Sequence, residues 1–141
     1  MPIVGFNIEK IYVEKIKPVV KDMKVKNDMK INDISTDIVN IGGLKDYVLK
    51  FVFEFTSDYQ PKIGNIQING HVLFSENKAK IKEIINSWKR DKKIQREIMN
   101  LIMNTILMRC NIKALNLSQE VNLPPNIRLP IVTIKSDKKE D

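Results

Sequence analysis

The chain has 141 residues, 43% hydrophobic and 29% charged, and its 24 Lys and Arg against 17 Asp and Glu give a formal charge of +7. That length and balance suit one folded core and leave little room for two, so residues 1–135 are expected to form a single domain and 136–141 a disordered tail. No membrane span is expected, because Asn100, Asn104 and Arg109 break the most apolar stretch, and the N-terminus lacks the basic-then-apolar pattern of a secretory leader.

Strands come first in chain order. Phe6-Asn7-Ile8-Glu9 alternates apolar and polar, then Ile11 and Val13 continue with the opposite parity, which predicts a strand over about 5–16 with a bulge near Lys10. Lys24 to Val39 repeats the pattern through Val25, Met29 and Ile31 and then Ile34 and Ile38, a parity switch across Asn32 and Asp33. Gly42-Gly43 marks a turn. Tyr47, Leu49, Phe51, Phe53 and Phe55 form one face of a third strand, after which Ser57-Asp58 and Gln60-Pro61 are expected to turn the chain. Ile66, Ile68, Val72 and Phe74 line a fourth strand, interrupted at Asn69-Gly70. Short links between successive strands favour an antiparallel meander.

After Phe74 the period lengthens to that of a helix. Ser75 is the expected cap of a helix from Glu76 that carries Ile81, Ile84, Ile85 and Trp88 on one stripe. A polar break at Arg90 to Lys93 precedes a longer helix, about Lys93 to Asn116, that is apolar over most of its circumference. Such a helix needs cover on both sides, which points to a second subunit. Val121 to Val132 is apolar but interrupted by Pro124, Pro125 and Pro130, and reads as an extended crossing segment. The fold class is therefore α+β: a four-stranded antiparallel sheet with a long helix packed on one face.

Chemistry is sparse. His71 is the sole histidine and sits on a strand face, so neither a His-based metal site nor a His pair for acid–base work can be assembled. The lone Cys110 excludes an internal disulfide and a CxxC site, lies in the apolar helix, and fits a reducing cytoplasm. No P-loop, GxGxxG, HExxH or GxSxG spacing occurs, so no enzyme, cofactor or metal is expected. The basic charge invites a nucleic-acid-binding module, yet 20 of the 24 basic residues are Lys and four are the better phosphate reader Arg. Phe51, Phe53 and Phe55 are read as core before base-stacking platform, and the Lys78-Lys80-Lys82 and Lys89 to Lys93 clusters as the wet side of a helix. Met99, Met103 and Met108 suit either core filling or an apolar surface of low selectivity.

In this order the segments resemble the SecB export-chaperone family. Phe6-Asn7-Ile8-Glu9-Lys10-Ile11-Tyr12-Val13-Glu14-Lys15-Ile16 resembles its first strand, Met29-Lys30-Ile31-Asn32 its second, Tyr47 to Phe55 its third, and Ile63 to Phe74 with Asn69-Gly70 its fourth. Gln95-Arg96-Glu97-Ile98 is similar to the start of its main helix, and Val121-Asn122-Leu123-Pro124-Pro125 to its helix-connecting segment, so the resemblance runs from residue 6 to residue 130. Members that serve export are acidic and dock the SecA motor through that acidity. This chain is basic, and Pro130 falls where the family carries a second helix, so the motor is not among the implied partners.

The resemblance implies an ATP-independent holdase that binds unfolded polypeptides, in export, general proteostasis or a toxin–antitoxin setting, and assembles as a homotetramer, a dimer of dimers. It implies a client groove between the sheet and the connecting segment, formed by Met29, Ile31, Ile63, Leu123, Ile127 and Leu129. It also implies an oligomer interface at Gly64, Ile66 and Ile68 of the fourth strand and Met99, Met103 and Ile106 of the long helix. A nucleic-acid-binding module and a small structural subunit of a larger complex are the competing readings.

Overall fold

The computed structural model describes residues 3–132 and 134, in the order β1 (Ile3–Lys15), β2 (Lys24–Ile41), β3 (Leu44–Gln60), β4 (Gly64–Ser75), α1 (Lys78–Asp91) and α2 (Arg96–Glu120). The strands form one antiparallel sheet with the two helices after it, an α+β fold. The tail expected over 136–141 lies outside the described residues.

The meander expectation is corrected. The strand order is β1-β4-β3-β2, so β1 pairs with β4 and lies at the edge opposite β2. Two tight hairpins build β2-β3-β4: Gly42 and Gly43, at φ +59° and +84°, supply the left-handed pair that a two-residue hairpin turn needs, and Pro61 to Ile63 make the second turn. The link from Ile16 to Met23 is too long for a hairpin and has Pro18 in it. It crosses the β3–β4 turn instead, where the backbone N–H groups of Ile16 and Lys17 both donate to the Ile63 carbonyl at 2.7 and 3.3 Å. Extended chain of that length covers the roughly 14 Å between β1 and β2, three strand spacings.

Both expected bulges occur. Pairing with β4 shifts register between Ile8 and Lys10, and pairing with β3 shifts between Ile31 and Asp33. Each extra residue turns the following apolar side chains back to the helix side, so Phe6 and Ile8 are continued by Ile11 and Val13, and Met29 and Ile31 by Ile34. β3 does not end at Ser57 and Asp58 but runs to Gln60, with Leu49, Phe51, Phe53, Phe55, Ser57 and Tyr59 all buried in its inner row. Beyond the buried Val48, the opposite row is Lys50, Val52, Glu54, Thr56 and Asp58, none of them buried, so the core lies on one side of this stretch of the sheet.

β4 is likewise uninterrupted, and Gly70 explains why. It occupies an inner-row position where a Cβ would stand 2.1 Å from the Asn7 carbonyl oxygen and 3.0 Å from both Ile8 Cα and Phe53 Cζ. The missing side chain is what lets β1 close on β4 while Phe53, stacked on Phe6 with ring centroids 5.3 Å apart, lies over the gap.

α1 starts later than expected: Asn77, not Ser75, is the cap, its Oδ1 accepting from Lys80 N at 2.8 Å. Ile81, Ile84 and Trp88 face the core. In α2 the buried residues are Ile98, Ile102, Ile106, Cys110, Ala114 and Ser118, a seam with a repeat of four. That seam is buried within the protomer, and Leu107 and Leu117 pack partly against the same core. Leu101, Met108 and Ile112 stay 41%, 60% and 59% exposed on other sides of the helix. The Cys110 thiol is buried, and burial pushes its pKa up to about 12, the state of an inert core thiol.

Candidate functional site

After α2 the chain turns at Asn122, whose φ of 58° is left-handed, and crosses the open end of the sheet near the β3–β4 hairpin. Pro124 and Pro125 bar a further helical turn, so the segment must find its hydrogen bonds in other elements. It finds them in a polar clasp. The Tyr59 hydroxyl donates to the Pro124 carbonyl at 2.6 Å, and Asn27 Nδ2 donates to the Asn126 carbonyl at 2.8 Å. Asn126, buried to 3% exposure, donates through Nδ2 to Asn111 Oδ1 at 3.1 Å and to Ser57 Oγ at 3.4 Å, while Ser57 donates to Asn27 Oδ1. Burial pushes the Tyr59 hydroxyl up to about 12, which keeps it a neutral donor at physiological pH.

The clasp ties β2, β3, α2 and the crossing segment together, and Leu123 is its apolar plug. Leu123 is 5% exposed and rests where Gly64 has no side chain: a Cβ there would be 3.1 Å from Leu123 Cδ1 and 2.5 Å from the Glu14 carbonyl oxygen. Neither clasp nor plug was anticipated from sequence. Asn27 and Ser57, polar residues paired on an otherwise apolar inner row, are the signal the sequence carries, with Ser57 inside β3 and not at the expected turn.

The six residues expected at a client groove separate into two groups. Ile63 and Leu123 are buried in the core, while Met29, Ile31 and Ile127 are half-buried and Leu129 is 40% exposed. Past Leu129 the apolar residues Ile131, Val132 and Ile134 are 84%, 94% and 89% exposed. Among the residues expected at an oligomer interface, Ile66, Ile68 and Ile106 are fully buried within the protomer, Gly64 is buried, and Met99 and Met103 are half-buried. β4 has both of its edges hydrogen-bonded, to β1 and to β3, so it has no free edge for another chain.

Two clefts with apolar floors flank the sheet. One, of about 430 Å³, lies between β1 and α2, lined by Phe6, Ile8, Arg109, Ile112, Lys113 and Asn116, with the Arg109 guanidinium 4.8 Å from the centre of the Phe6 ring. The other, of about 400 Å³, lies between the β2–β3 hairpin and α1, with Tyr47, Ile81 and Ile85 among its walls. Phe51, Phe53 and Phe55 are fully buried and offer no ring to a nucleic-acid base. No cluster of three metal-ligating side chains occurs among the described residues, and none of their helices is long and apolar enough to cross a membrane.

The fold is similar to that of the SecB-like chaperone Rv1957 of Mycobacterium tuberculosis, solved in complex with a ChAD peptide from the Rv1956 HigA1 antitoxin. The two align with a TM-score of 0.52 and 9% identity over 96% of this chain and 92% of the other, a likeness of fold. No family model matches the sequence, and no curated protein matches it.

Proposed function

We propose that the chain is an ATP-independent holdase of the cytoplasm that binds non-native polypeptide and keeps it from aggregating. The observation that carries this reading is a fold shared with a chaperone whose solved partner is a peptide, on a protomer whose apolar surface is only partly covered. An unfolded client presents apolar side chains and unpaired backbone. A surface with Met29, Ile31, Ile127 and Leu129 beside the free edge of β2 meets both needs without sequence preference. Ile63 and Leu123 act beneath that surface, as the floor that holds the crossing segment in place.

The assembly in this reading is a dimer of dimers, with α2 at its centre. Its exposed Leu101, Met108 and Ile112, and the half-buried Met99 and Met103, need cover that the protomer does not supply. Strand pairing between subunits would use β1, an edge strand with Ile11 and Tyr12 42% and 43% exposed. Gly64, Ile66, Ile68 and Ile106 would support the interface from inside. Several such grooves on one particle let a long client add up weak contacts.

Replacing Ile127 and Leu129 together with Ser tests the client site. Both residues are partly exposed, so melting temperature and particle mass are expected to stay within error of the parent while suppression of aggregation of a denatured, unrelated protein falls severalfold. Undiminished suppression by this variant would place client contacts elsewhere. Leu123 is unsuitable for the same test, because a Ser there opens the core.

A further inference from the structure

The cleft between the β2–β3 hairpin and α1 combines an apolar floor with one sign of charge. Tyr47 and Thr36 come from the strands, and Ile81 and Ile85 from the helix. Lys78 and Lys82, four residues apart on α1, form the rim, with Lys78 Nζ 5.2 Å from the centre of the Tyr47 ring. Ile38, 52% exposed, pairs with Tyr47 in the β2–β3 ladder and extends the floor toward the hairpin tip, and Lys45 follows on the same row.

Neither rim cation is paired with a carboxylate among the described residues: Glu76, just before the cap of α1, turns to the Asn77 backbone N–H at 3.2 Å. The cation of the first two turns of α1 that is paired is Lys80, with Glu83 at 4.0 Å, and no carboxylate lies within 4.0 Å of Lys78 or Lys82 among the described residues. The first turn of α1 carries no acidic residue, so the positive end of the helix adds to the same field. The carboxylates of Asp37 and Asp46 in the hairpin lie on the other face of the sheet, each accepting from the next residue's backbone N–H at 2.8 and 2.9 Å.

We propose that this cleft binds polypeptide segments in which apolar or aromatic side chains are flanked by Asp or Glu. The inference rests on the holdase reading and adds to it a charge selection among clients. Apolar side chains enter between Tyr47, Ile81 and Ile85, and the flanking carboxylates meet Lys78 and Lys82. The free edge of β2 runs from here to Met29, roughly 25 Å away at strand spacing, so one extended client can occupy this cleft and the crossing-segment surface together. Peptide suits the site better than nucleic acid: the floor is aliphatic with a single aromatic ring, and the rim is Lys without Arg.

The test uses fluorescence anisotropy with the full-length protein and three labelled peptides that share one apolar and aromatic core and carry Glu, Gln or Lys flanks. The Glu peptide is expected to bind about tenfold more tightly than the Lys peptide at low salt, with the Gln peptide between them, the scale of two exposed ion pairs gained rather than two repulsions. That preference should shrink toward unity near 1 M salt, where the screening length is about 3 Å. Exchanging both cations in K78E/K82E should reverse the order. Both positions are exposed, and acidic residues near a helix start favour the helix, so circular dichroism and melting should match the parent. Equal binding of all three peptides overturns the charge selection and leaves the holdase reading standing. Binding of none overturns both, and a Glu preference that survives K78E/K82E removes it from this cleft. A single-stranded oligonucleotide that binds, loses affinity in K78E/K82E and meets no peptide competition would make this a nucleic-acid surface and overturn the proposal.

Discussion

Gly70→Ala is expected to destabilise the protein by about 3 kcal/mol, at the upper end of what overpacking usually costs. The added methyl would stand 2.1 Å from the Asn7 carbonyl oxygen, and main-chain atoms of β1 cannot rotate away as a side chain can. Relief requires β1 to move off β4, which stretches the ladder on both sides of the Glu9 bulge and separates Phe6 from Phe53. The contact at 3.0 Å with Phe53 Cζ is secondary. Urea denaturation of G70A and of G70A/F53L distinguishes the two causes. With the carbonyl dominant, the smaller residue at 53 restores nothing and adds its own loss; recovery of stability in the double variant would show that ring crowding, not backbone approach, requires glycine here.

The substitution pair M108E/I112E is expected to cut particle mass from about 66 kDa, four chains of 16.4 kDa, to a dimer or a single chain. Both side chains are about 60% exposed in the protomer, so carboxylates at these positions cost its own fold little. In the proposed assembly they are buried against another subunit, where two unpaired charges per chain outweigh the apolar contact they replace. Light scattering at micromolar concentration measures the change directly. Parent protein near 16 kDa, or a variant that keeps the parent's tetramer mass, would contradict an assembly centred on α2.

Facing directions were legible in the sequence because strand parity is a local property. The switches at Glu9 and at Asn32 to Asp33, the Gly42-Gly43 turn and the Phe51 to Phe55 stripe could each be read within a few residues. Neighbours were not legible. Periodicity says which side chains share a face but not that β1 crosses to β4, a pairing made along the whole ladder from Ile3 with Phe74 to Lys15 with Gly64 and continued by the Ile16 and Lys17 bonds to the distant Ile63 carbonyl. α2 hid its seam for a related reason: apolar residues on every side mask the repeat of four from Ile98 to Ser118. At the candidate site, the apolar character of the crossing segment was visible, but the division between Leu123 inside and Leu129 outside was not. It follows from the clasp of Asn126 on Ser57 and Asn111, three polar residues with no periodic signature.

The proposed nucleotide-independent holdase activity is read out by light scattering from an unrelated, chemically denatured protein diluted into buffer without ATP, with and without the chain. A particle that wraps its clients should suppress scattering at about one assembly per client, to the same degree with and without nucleotide. An aggregation curve unchanged at tenfold molar excess would contradict it.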